Sequence, residues 1–181
     1  MDKQDIRKSI RAQKVLLTDS AKRISAHNVF KHLESLDVFK NAENILIYNS
    51  LPDELSTREF IYRWYSRKSL FLPRVNGNDL EILPFEPNNI RTGAFQIEEP
   101  IGNNIVDIHM IDLIIVPAVA LDRNGNRVGR GKGYYDRLLI DSNSIKIGVC
   151  YDFQLFDCID AESHDVPLDI VITPSEIIKI S

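Results

Sequence analysis

Apolar residues in this chain occur in short continuous runs, separated by longer polar or amphipathic stretches. A continuous apolar run bounded by turn residues is typical of a strand that is buried on both faces of a sheet. Such runs occupy residues 44–48, 69–72, 112–116, 146–151 and 170–173. The run at 112–116 is expected to be a central strand, and Pro73 is expected to end the strand before it. Residues 79–83 alternate polar and apolar side chains, which predicts a half-exposed strand at an edge of the sheet.

Helical patterns lie between these runs. They cover residues 3–17, 19–36 and 134–140, and a further helix should start at the capping-box pattern Ser56-Thr57-Arg58-Glu59 and reach Tyr65. Residues 86–105 are rich in Pro, Asn and Gly and should form a long surface loop, a kind of segment that is often functional. Because strands alternate with helices, we expect one α/β domain over residues 1–181. Its mostly parallel central sheet should carry helices on both faces, in three layers.

The bulk composition excludes several classes of protein. The chain has 44% hydrophobic and 27% charged residues, which is ordinary for a soluble globular protein. Its net charge of −4 does not favour wholesale binding to nucleic acid or to a membrane surface, and no apolar run is long enough to span a bilayer. The charged N-terminus is unlike a secretory signal, and Cys150 and Cys158 lack C-x-x-C spacing. We expect a cytoplasmic protein with reduced thiols, and a monomer because no pattern demands an oligomer.

Residues 125–137, GNRVGRGKGYYDR, combine four glycines with four cationic side chains. Glycines allow backbone N–H groups to close around an anion, and cations beside them favour phosphate. The segment could equally be a flexible surface loop or a nonspecific nucleic-acid contact. It is not a P-loop, because Tyr134 stands where a Ser or Thr would bind magnesium. It is not the dinucleotide-binding pattern either, because the glycines fall at alternate positions.

A carboxylate within this cationic segment suggests a metal. Asp136 alone would repel phosphate, but it makes sense if a divalent cation lies between the two. Ligands of open α/β sheets bind beyond the carboxyl ends of the strands. The predicted fold therefore brings the most unusual polar residues to one edge of the sheet. These residues are Glu54, Arg130, Lys132, Tyr134, Asp136 and Asp165.

Several separated segments together resemble one enzyme family. They are YNSLPDELST (48–57), LPRV (72–75), DLIIVPAVALDRNGNRVGRGKGYYDRLL (112–139) and IGVCYDFQLF with HDVPLDIVIT (147–173). In content, order and spacing they are similar to the 5-formyltetrahydrofolate cyclo-ligases, also called 5,10-methenyltetrahydrofolate synthetases. The resemblance covers nearly the whole chain, and residues 127–136 are its most specific part. It implies a Rossmann-like α/β fold without a P-loop.

The resemblance also implies a reaction that uses ATP and Mg²⁺. The formyl oxygen of 5-formyltetrahydrofolate would take the γ-phosphoryl group of ATP, which gives an N5-iminium phosphate and ADP. Attack by N10 would then close a five-membered ring, and loss of phosphate would leave 5,10-methenyltetrahydrofolate. The expected partners are therefore these small molecules, and neither nucleic acid nor a membrane.

Roles for single residues follow from the same resemblance. Arg130, Lys132 and Tyr134 would be catalytic. The ATP-binding residues would be Lys3, Arg7, Arg127, Gly129, Arg130, Gly131, Lys132, Gly133, Tyr134 and Tyr135. The substrate-binding residues would be Asn49, Glu54, Phe95, Arg130 and Tyr134. The magnesium ligands would be Asp136 and Asp165, with Asp169 as an alternative to the second.

Two other functions are compatible with a phosphate-binding loop. A sugar-phosphate isomerase or a related α/β enzyme would need the loop but neither ATP nor magnesium, which leaves Asp136 and Asp165 unexplained. A nonenzymatic nucleotide- or RNA-binding module is the second alternative. The net charge of −4 and the absence of aromatic residues interleaved with several basic patches argue against RNA.

Overall fold

The computed structural model describes residues 1–93 and 96–181. The helices are α1 (Lys3–Lys14), α2 (Asp19–Ser35), α3 (Asp37–Asn41), α4 (Arg58–Trp64) and α5 (Tyr134–Leu139). The strands are β1 (Asn44–Ile47), β2 (Ser69–Asn76), β3 (Asp79–Pro84), β4 (Ile90–Thr92), β5 (Glu98–Pro100), β6 (Leu113–Val116), β7 (Ala120–Asp122), β8 (Arg127–Val128), β9 (Ile145–Val149), β10 (Leu155–Phe156), β11 (Ile170–Ile172) and β12 (Ile177–Lys179). Across both described ranges, every helix is too short or too polar to cross a bilayer.

The main sheet of the described residues has seven strands in the order β12-β11-β9-β6-β1-β2-β3. The pairs from β11 to β2 are parallel, and the two outermost strands, β12 and β3, pair antiparallel to their neighbours. Strand β6 is the fourth of the seven and is fully buried, as its continuous apolar run predicts. The predicted edge position of residues 79–83 is also confirmed.

Alternate side chains of the central strands enter two different cores. On β1, Ile45 and Ile47 pack in a cluster with residues of α2, α3 and α4, whereas Leu46 packs in a second cluster with Leu139 of α5. Successive strand side chains point to opposite faces, so both faces need a cover of helix or loop. The predicted three-layer α/β architecture, with helices on both faces of a mostly parallel sheet, is confirmed.

Two expectations about strand limits are wrong. Strand β2 does not end at Pro73 but continues to Asn76, with Pro73 opposite Ile82 of β3. The pairing of β2 with β1 ends at Phe71. The missing N–H of Pro73 therefore lies where β2 no longer pairs with β1. Residues 86–105 are not wholly a loop, because they contain the β4–β5 hairpin. These strands are short and largely polar, so they carry no apolar run that the sequence could reveal.

The expected capping box of α4 is also wrong. Thr57 does precede the helix, but its side chain makes no cap. It is fully buried, and its hydroxyl donates to the carbonyl oxygen of Tyr48 at 2.9 Å and accepts from the Ser50 amide at 3.2 Å. Ser50 returns the contact by accepting from the Thr57 amide at 3.0 Å. These bonds fix the turn after β1, the segment that contains Glu54.

A second small sheet, with the order β10-β7-β8, lies next to the main one. Helix α1 packs on it through Ile6 and Ile10, which share a buried cluster with Ala120, Val128 and Ile159. The two isoleucines are one helical turn apart, so the remaining faces of α1 are left for polar contacts. This packing places the N-terminal helix beside the glycine-rich segment.

Candidate active site

A cavity of about 620 Å³ lies at the carboxyl ends of β1, β2 and β6, where the fold predicts a ligand site. Every site residue named from the sequence lines it except Asp169, the alternative metal ligand, and Phe95, which lies outside the described residues. These lining residues are Lys3, Arg7, Asn49, Glu54, Arg127, Gly129, Arg130, Gly131, Lys132, Gly133, Tyr134, Tyr135, Asp136 and Asp165. The topology therefore gathers segments from the whole length of the chain into one site.

The glycines of the loop between β8 and α5 do different things. Gly131 and Gly133 have φ angles of 103° and 72°, in the left-handed region that favours glycine. Gly129 does not have a positive φ; instead, a Cβ at this position would lie 2.8 Å from the Arg127 side chain. The Arg127 side chain therefore packs against Gly129, whereas Gly131 and Gly133 supply the positive φ angles of the loop. The role of all three glycines in binding ATP stays a prediction.

Arg127 forms part of the cavity wall from a buried position. Its guanidinium group donates to the carbonyl oxygen of Pro117 at 3.0 Å, lies 3.7 Å from Asp136 Oδ1 and stands over the ring of Tyr135 at 5.6 Å. Burial lowers the pKa of Arg127, and the Asp136 carboxylate opposes that shift. Within the described chain its Nε–H has no hydrogen-bond partner. Through these contacts Arg127 holds Asp136 and Tyr135 in place.

Arg130 joins the loop to the turn after β1. One of its terminal nitrogens donates to Asp53 Oδ1 at 2.8 Å and lies 3.8 Å from Glu54 Oε2. The side chain is 47% exposed, which leaves it room to move. Glu54 is nearly buried, and its Oε1 accepts from the Leu51 amide at 2.8 Å. Burial raises the pKa of Glu54, although the Leu51 amide and Arg130 favour its charged form.

Another part of the cavity lining is acidic. Asp165 Oδ2 accepts from the Lys3 ammonium group at 2.6 Å and from the Glu162 amide at 2.8 Å. Oδ1 of the same carboxylate lies 3.5 Å from His164 Nε2. In the described part of the chain, Asp136, His164 and Asp165 each offer a donor atom within 4.8 Å of the others. Two carboxylates and an imidazole are a donor set that fits a divalent cation.

The pKa values of the Lys3–Asp165 pair reflect their mutual contact. Burial alone would raise the pKa of Asp165, but the Glu162 amide and Lys3 outweigh it, so the pKa is lowered. Burial alone would lower the pKa of Lys3, but Asp165 and Glu162 outweigh it, so the pKa is raised. Both groups are therefore held in their charged forms.

The second metal carboxylate could not be chosen from the sequence, and the geometry separates the two candidates. Asp165 lies in the group with Asp136, whereas Asp169 Oδ2 accepts from the Lys146 amide at 2.8 Å in the sheet. Asp165 is therefore the carboxylate that is positioned to share a cation with Asp136.

Helix α1 brings cations to the cavity, as the resemblance implies. Arg7 Nε donates to the carbonyl oxygen of Gly129 at 2.7 Å, so the helix is attached directly to the glycine-rich loop. Lys3 lies one turn before it, on the same side of the helix. Lys8 and Arg11 are exposed, which agrees with the burial of Ile6 and Ile10 on another face.

The remaining predicted site residues differ in the groups that they contact. Lys132 and Tyr134 both line the cavity, and the Tyr134 hydroxyl donates to the carbonyl oxygen of Gly77 at 3.2 Å. Asn49 donates to the carbonyl oxygen of Glu98 at 3.3 Å, a contact that ties the β4–β5 hairpin to the cavity. Tyr135 packs against both hydrophobic clusters, so it belongs more to the wall than to the loop.

Sequence reasoning missed several residues of the site. Lys14 and Asp53 lie beside Arg130 and Glu54, and His164 joins the acidic group. Two signals were available. Lys14 follows Arg7 by seven positions, a spacing that keeps both on one side of a helix. His164 and Asp53 directly precede residues already selected. Neither signal shows how far apart the charges lie.

Known proteins resemble this chain over nearly its whole length. The model of the 5-formyltetrahydrofolate cyclo-ligase family matches residues 1–174. The 5-formyltetrahydrofolate cyclo-ligase of Haemophilus influenzae is 32% identical over 183 aligned residues, which cover 94% of this chain and 97% of that protein. The NMR structure of 5,10-methenyltetrahydrofolate synthetase from Aquifex aeolicus matches with a TM-score of 0.90 and 32% identity, over 99% of this chain and 93% of that one. A 5,10-methenyltetrahydrofolate synthetase from Mycoplasma pneumoniae matches with a TM-score of 0.77 and 25% identity, over 96% and 99% of the two chains.

Proposed function

The chain belongs to the 5-formyltetrahydrofolate cyclo-ligase family, and from this premise we propose how its cavity converts 5-formyltetrahydrofolate into 5,10-methenyltetrahydrofolate. The formyl oxygen attacks the γ-phosphorus of ATP, the bond to the β-phosphate oxygen breaks, and ADP leaves. N10 then attacks the formyl carbon of the N5-iminium phosphate and loses its proton, and departure of phosphate completes the methenyl bridge. Phosphorylation is needed because an amide-like oxygen is a poor leaving group, whereas phosphate departs readily.

One observation carries this proposal. A single cavity holds cationic side chains beside a glycine-rich loop and also the nearly buried carboxylate of Glu54. Arg130 bridges the two, because it belongs to the loop and lies 3.8 Å from Glu54. The triphosphate of ATP needs the cationic side chains, and the hydrogen-bonding edge of a pterin needs a carboxylate acceptor. These two parts of the cavity must be adjacent where the phosphoryl group is transferred.

The phosphoryl transfer depends on alignment and charge neutralisation more than on covalent help from the protein. Arg130 would grip phosphate oxygens with two N–H donors, and Lys132 would add a mobile point charge. Arg7 is held at the loop by Gly129 and would add a third cation. The backbone at Gly131 and Gly133 has the left-handed turns that allow its N–H groups to face an anion.

The acidic group would hold Mg²⁺ through Asp136 and Asp165, with His164 close to both. Bound there, the ion would supply positive charge to the phosphate oxygens. Arg127 stands behind Asp136, and the Glu162 amide and Lys3 orient Asp165, so both carboxylates are held by neighbours. Such support keeps ligand atoms in position before the cation arrives.

The folate is expected to lie at the other end of the cavity. Glu54 would accept hydrogen bonds from pterin N–H groups, since a planar carboxylate matches a planar donor edge. Asn49 and Tyr134 line the same space and carry polar groups that could fix the formyl end. Phe95 remains a proposed stacking residue, on the basis of the resemblance alone.

The decisive experiment mixes purified protein with 5-formyltetrahydrofolate, ATP and Mg²⁺ and follows methenyltetrahydrofolate by its near-ultraviolet absorbance. Parallel reactions omit ATP, omit Mg²⁺ or replace ATP with a nonhydrolysable analogue. We expect product only in the complete mixture, with one ADP for each product molecule. Product formed without ATP, or ATP hydrolysis that is independent of the folate, would contradict the proposed mechanism.

A further inference from the structure

Lys14, the last residue of α1, has a largely buried side chain and lies outside the roles assigned above. Its side chain is 9% exposed, and in the described chain its ammonium group has one ion-pair partner, Asp53 Oδ2, at 3.7 Å. Taking an ammonium group out of water is costly unless it is well paired, and 3.7 Å is a long contact. Burial accordingly lowers the pKa of Lys14, against the attraction of Asp53. A residue in this position needs an explanation beyond surface charge.

The partner of Lys14 is shared with Arg130. Asp53 Oδ1 accepts from Arg130 at 2.8 Å, while Oδ2 faces Lys14. Two cations therefore flank one half-exposed carboxylate, and they repel each other. In the present arrangement Arg130 has the better contact with Asp53, and Lys14 has the poorer one.

The turn that carries Asp53 is anchored independently of Arg130. The Glu54 amide donates to the carbonyl oxygen of Leu51 at 3.0 Å, and Lys22 of α2 reaches the carbonyl oxygen of Pro52 at 3.5 Å. Asp53 should therefore stay in place when Arg130 moves, and Lys14 would remain beside it.

We infer that Lys14 is a positioning residue that neutralises the Asp53 carboxylate when Arg130 turns to the phosphate groups. This inference rests on the proposed function, in which Arg130 binds the transferring phosphoryl group. Without Lys14, the departure of Arg130 would leave Asp53 unneutralised, so the carboxylate would hold Arg130 back. With Lys14 present, the Asp53 charge is balanced in both positions of the arginine, and Lys14 gains an uncontested partner. Lys14 thereby makes Arg130 available without touching the substrates.

The test is a double-mutant cycle between Lys14 and Asp53. Lys14→Met keeps the apolar stem and removes the charge, and we expect kcat/KM for ATP to fall about five- to tenfold. Asp53→Asn removes the group that retains Arg130, so adding Lys14→Met to it should produce no further loss. Lys14→Arg should stay within about twofold of wild type because it keeps the charge. Lys8→Met, an exposed lysine on the same helix, is the matched control and should have no effect.

A purely structural role gives a different pattern. If Lys14 only supports folding, Lys14→Met would lower the unfolding temperature but leave kcat/KM per folded molecule at the Lys8→Met value, and that result overturns the inference. A further loss of kcat/KM from Lys14→Met in the Asp53→Asn background would show that Lys14 does not act through Asp53, and it overturns the inference as well. If Lys14→Met does not fold, Lys14→Gln is judged by the same criterion, and thermal unfolding of all variants separates instability from slow turnover. A wild-type protein without ATP-dependent turnover would refute the proposed function. A wild type that turns over while Lys14→Met matches Lys8→Met would refute this inference alone.

Discussion

The ammonium group of Lys3 lies 2.6 Å from Asp165 Oδ2, in a contact between residues 162 positions apart in the chain. Lys3 belongs to the first helix, and Asp165 lies in the loop before β11, next to His164. The pair therefore fastens the helix that carries Arg7 to the segment that carries a candidate metal ligand. Occupation of the acidic group by a cation and the placement of α1 over the cavity should affect each other.

The Lys3–Asp165 contact predicts a pH-dependent stability. Because the pKa of Asp165 is lowered from its unfolded value of about 3.9, its contribution is present above about pH 4 and is lost as the pH falls through the folded-state pKa. In metal-free buffer at pH 7, Asp165→Asn should reduce the free energy of unfolding by about 1 kcal/mol. In chemical denaturation, the difference from wild type should shrink as the pH falls from about 4 to about 2. Asp160→Asn, an exposed neighbour in the same loop, is the control; a deficit that is constant with pH would contradict the assignment.

Arg130→Ala should abolish turnover and leave the fold intact. The side chain is 47% exposed, so its removal leaves no cavity, but phosphoryl transfer loses its bidentate donor. We expect kcat to fall by about a thousandfold or more, the range seen when arginines that stabilise such transition states are removed. Steady-state kinetics and thermal unfolding measure both effects, with Arg11→Ala on the exposed side of α1 as the control. A near-normal rate would show that Arg130 is not the phosphoryl clamp.

Asp136→Asn should weaken the response to magnesium. The carboxylate lies in the group of donors with Asp165, and loss of its charge should raise the Mg²⁺ concentration for half-maximal activity at least about tenfold. Direct titration of the protein with Mg²⁺ by calorimetry gives a second readout that does not depend on turnover. Asp169→Asn should titrate like wild type, because Asp169 is engaged with the Lys146 amide. If Asp169→Asn rather than Asp136→Asn alters the titration, the ligand set is different.

Glu54→Gln should increase the stability of the fold and weaken folate binding. Burial raises the pKa of Glu54, so its charge opposes folding at neutral pH, and the neutral isostere should increase the free energy of unfolding by about 0.5–1 kcal/mol at pH 7. This gain should vanish as the pH falls below about 4, where both side chains are neutral. The KM for 5-formyltetrahydrofolate should rise about ten- to a hundredfold, because hydrogen bonds to a charged acceptor are lost.

The matched control for Glu54→Gln is Glu86→Gln, an exposed glutamate that should change neither quantity. A destabilised Glu54→Gln with an unchanged KM would mean that Glu54 has a structural role and does not bind the folate.

Much of the sheet was predictable because its signal is local. The buried strand at 112–116 and the edge strand at 79–83 follow from the apolar pattern of a few consecutive residues. The failures involve partners that are distant in sequence. Thr57 has the sequence of a helix cap but bonds to Tyr48, and Pro73 looks like a strand end but lies where β2 has lost one neighbour. A single stretch of sequence does not show which strand lies beside it.

By itself, the sequence determined the parallel α/β fold, the glycine-rich loop at residues 125–137 and, through the resemblance, the residues that line the cavity. Only the tertiary structure decided how their charges are paired. It placed Lys14 and Arg130 beside the same carboxylate, that of Asp53, and it packed the Arg127 side chain against Gly129. The reason is that the energy between two charges depends on their separation and on how much water surrounds them. Both quantities are set by the packing of segments far apart in the chain, so the composition of the site could be predicted but its pairings could not.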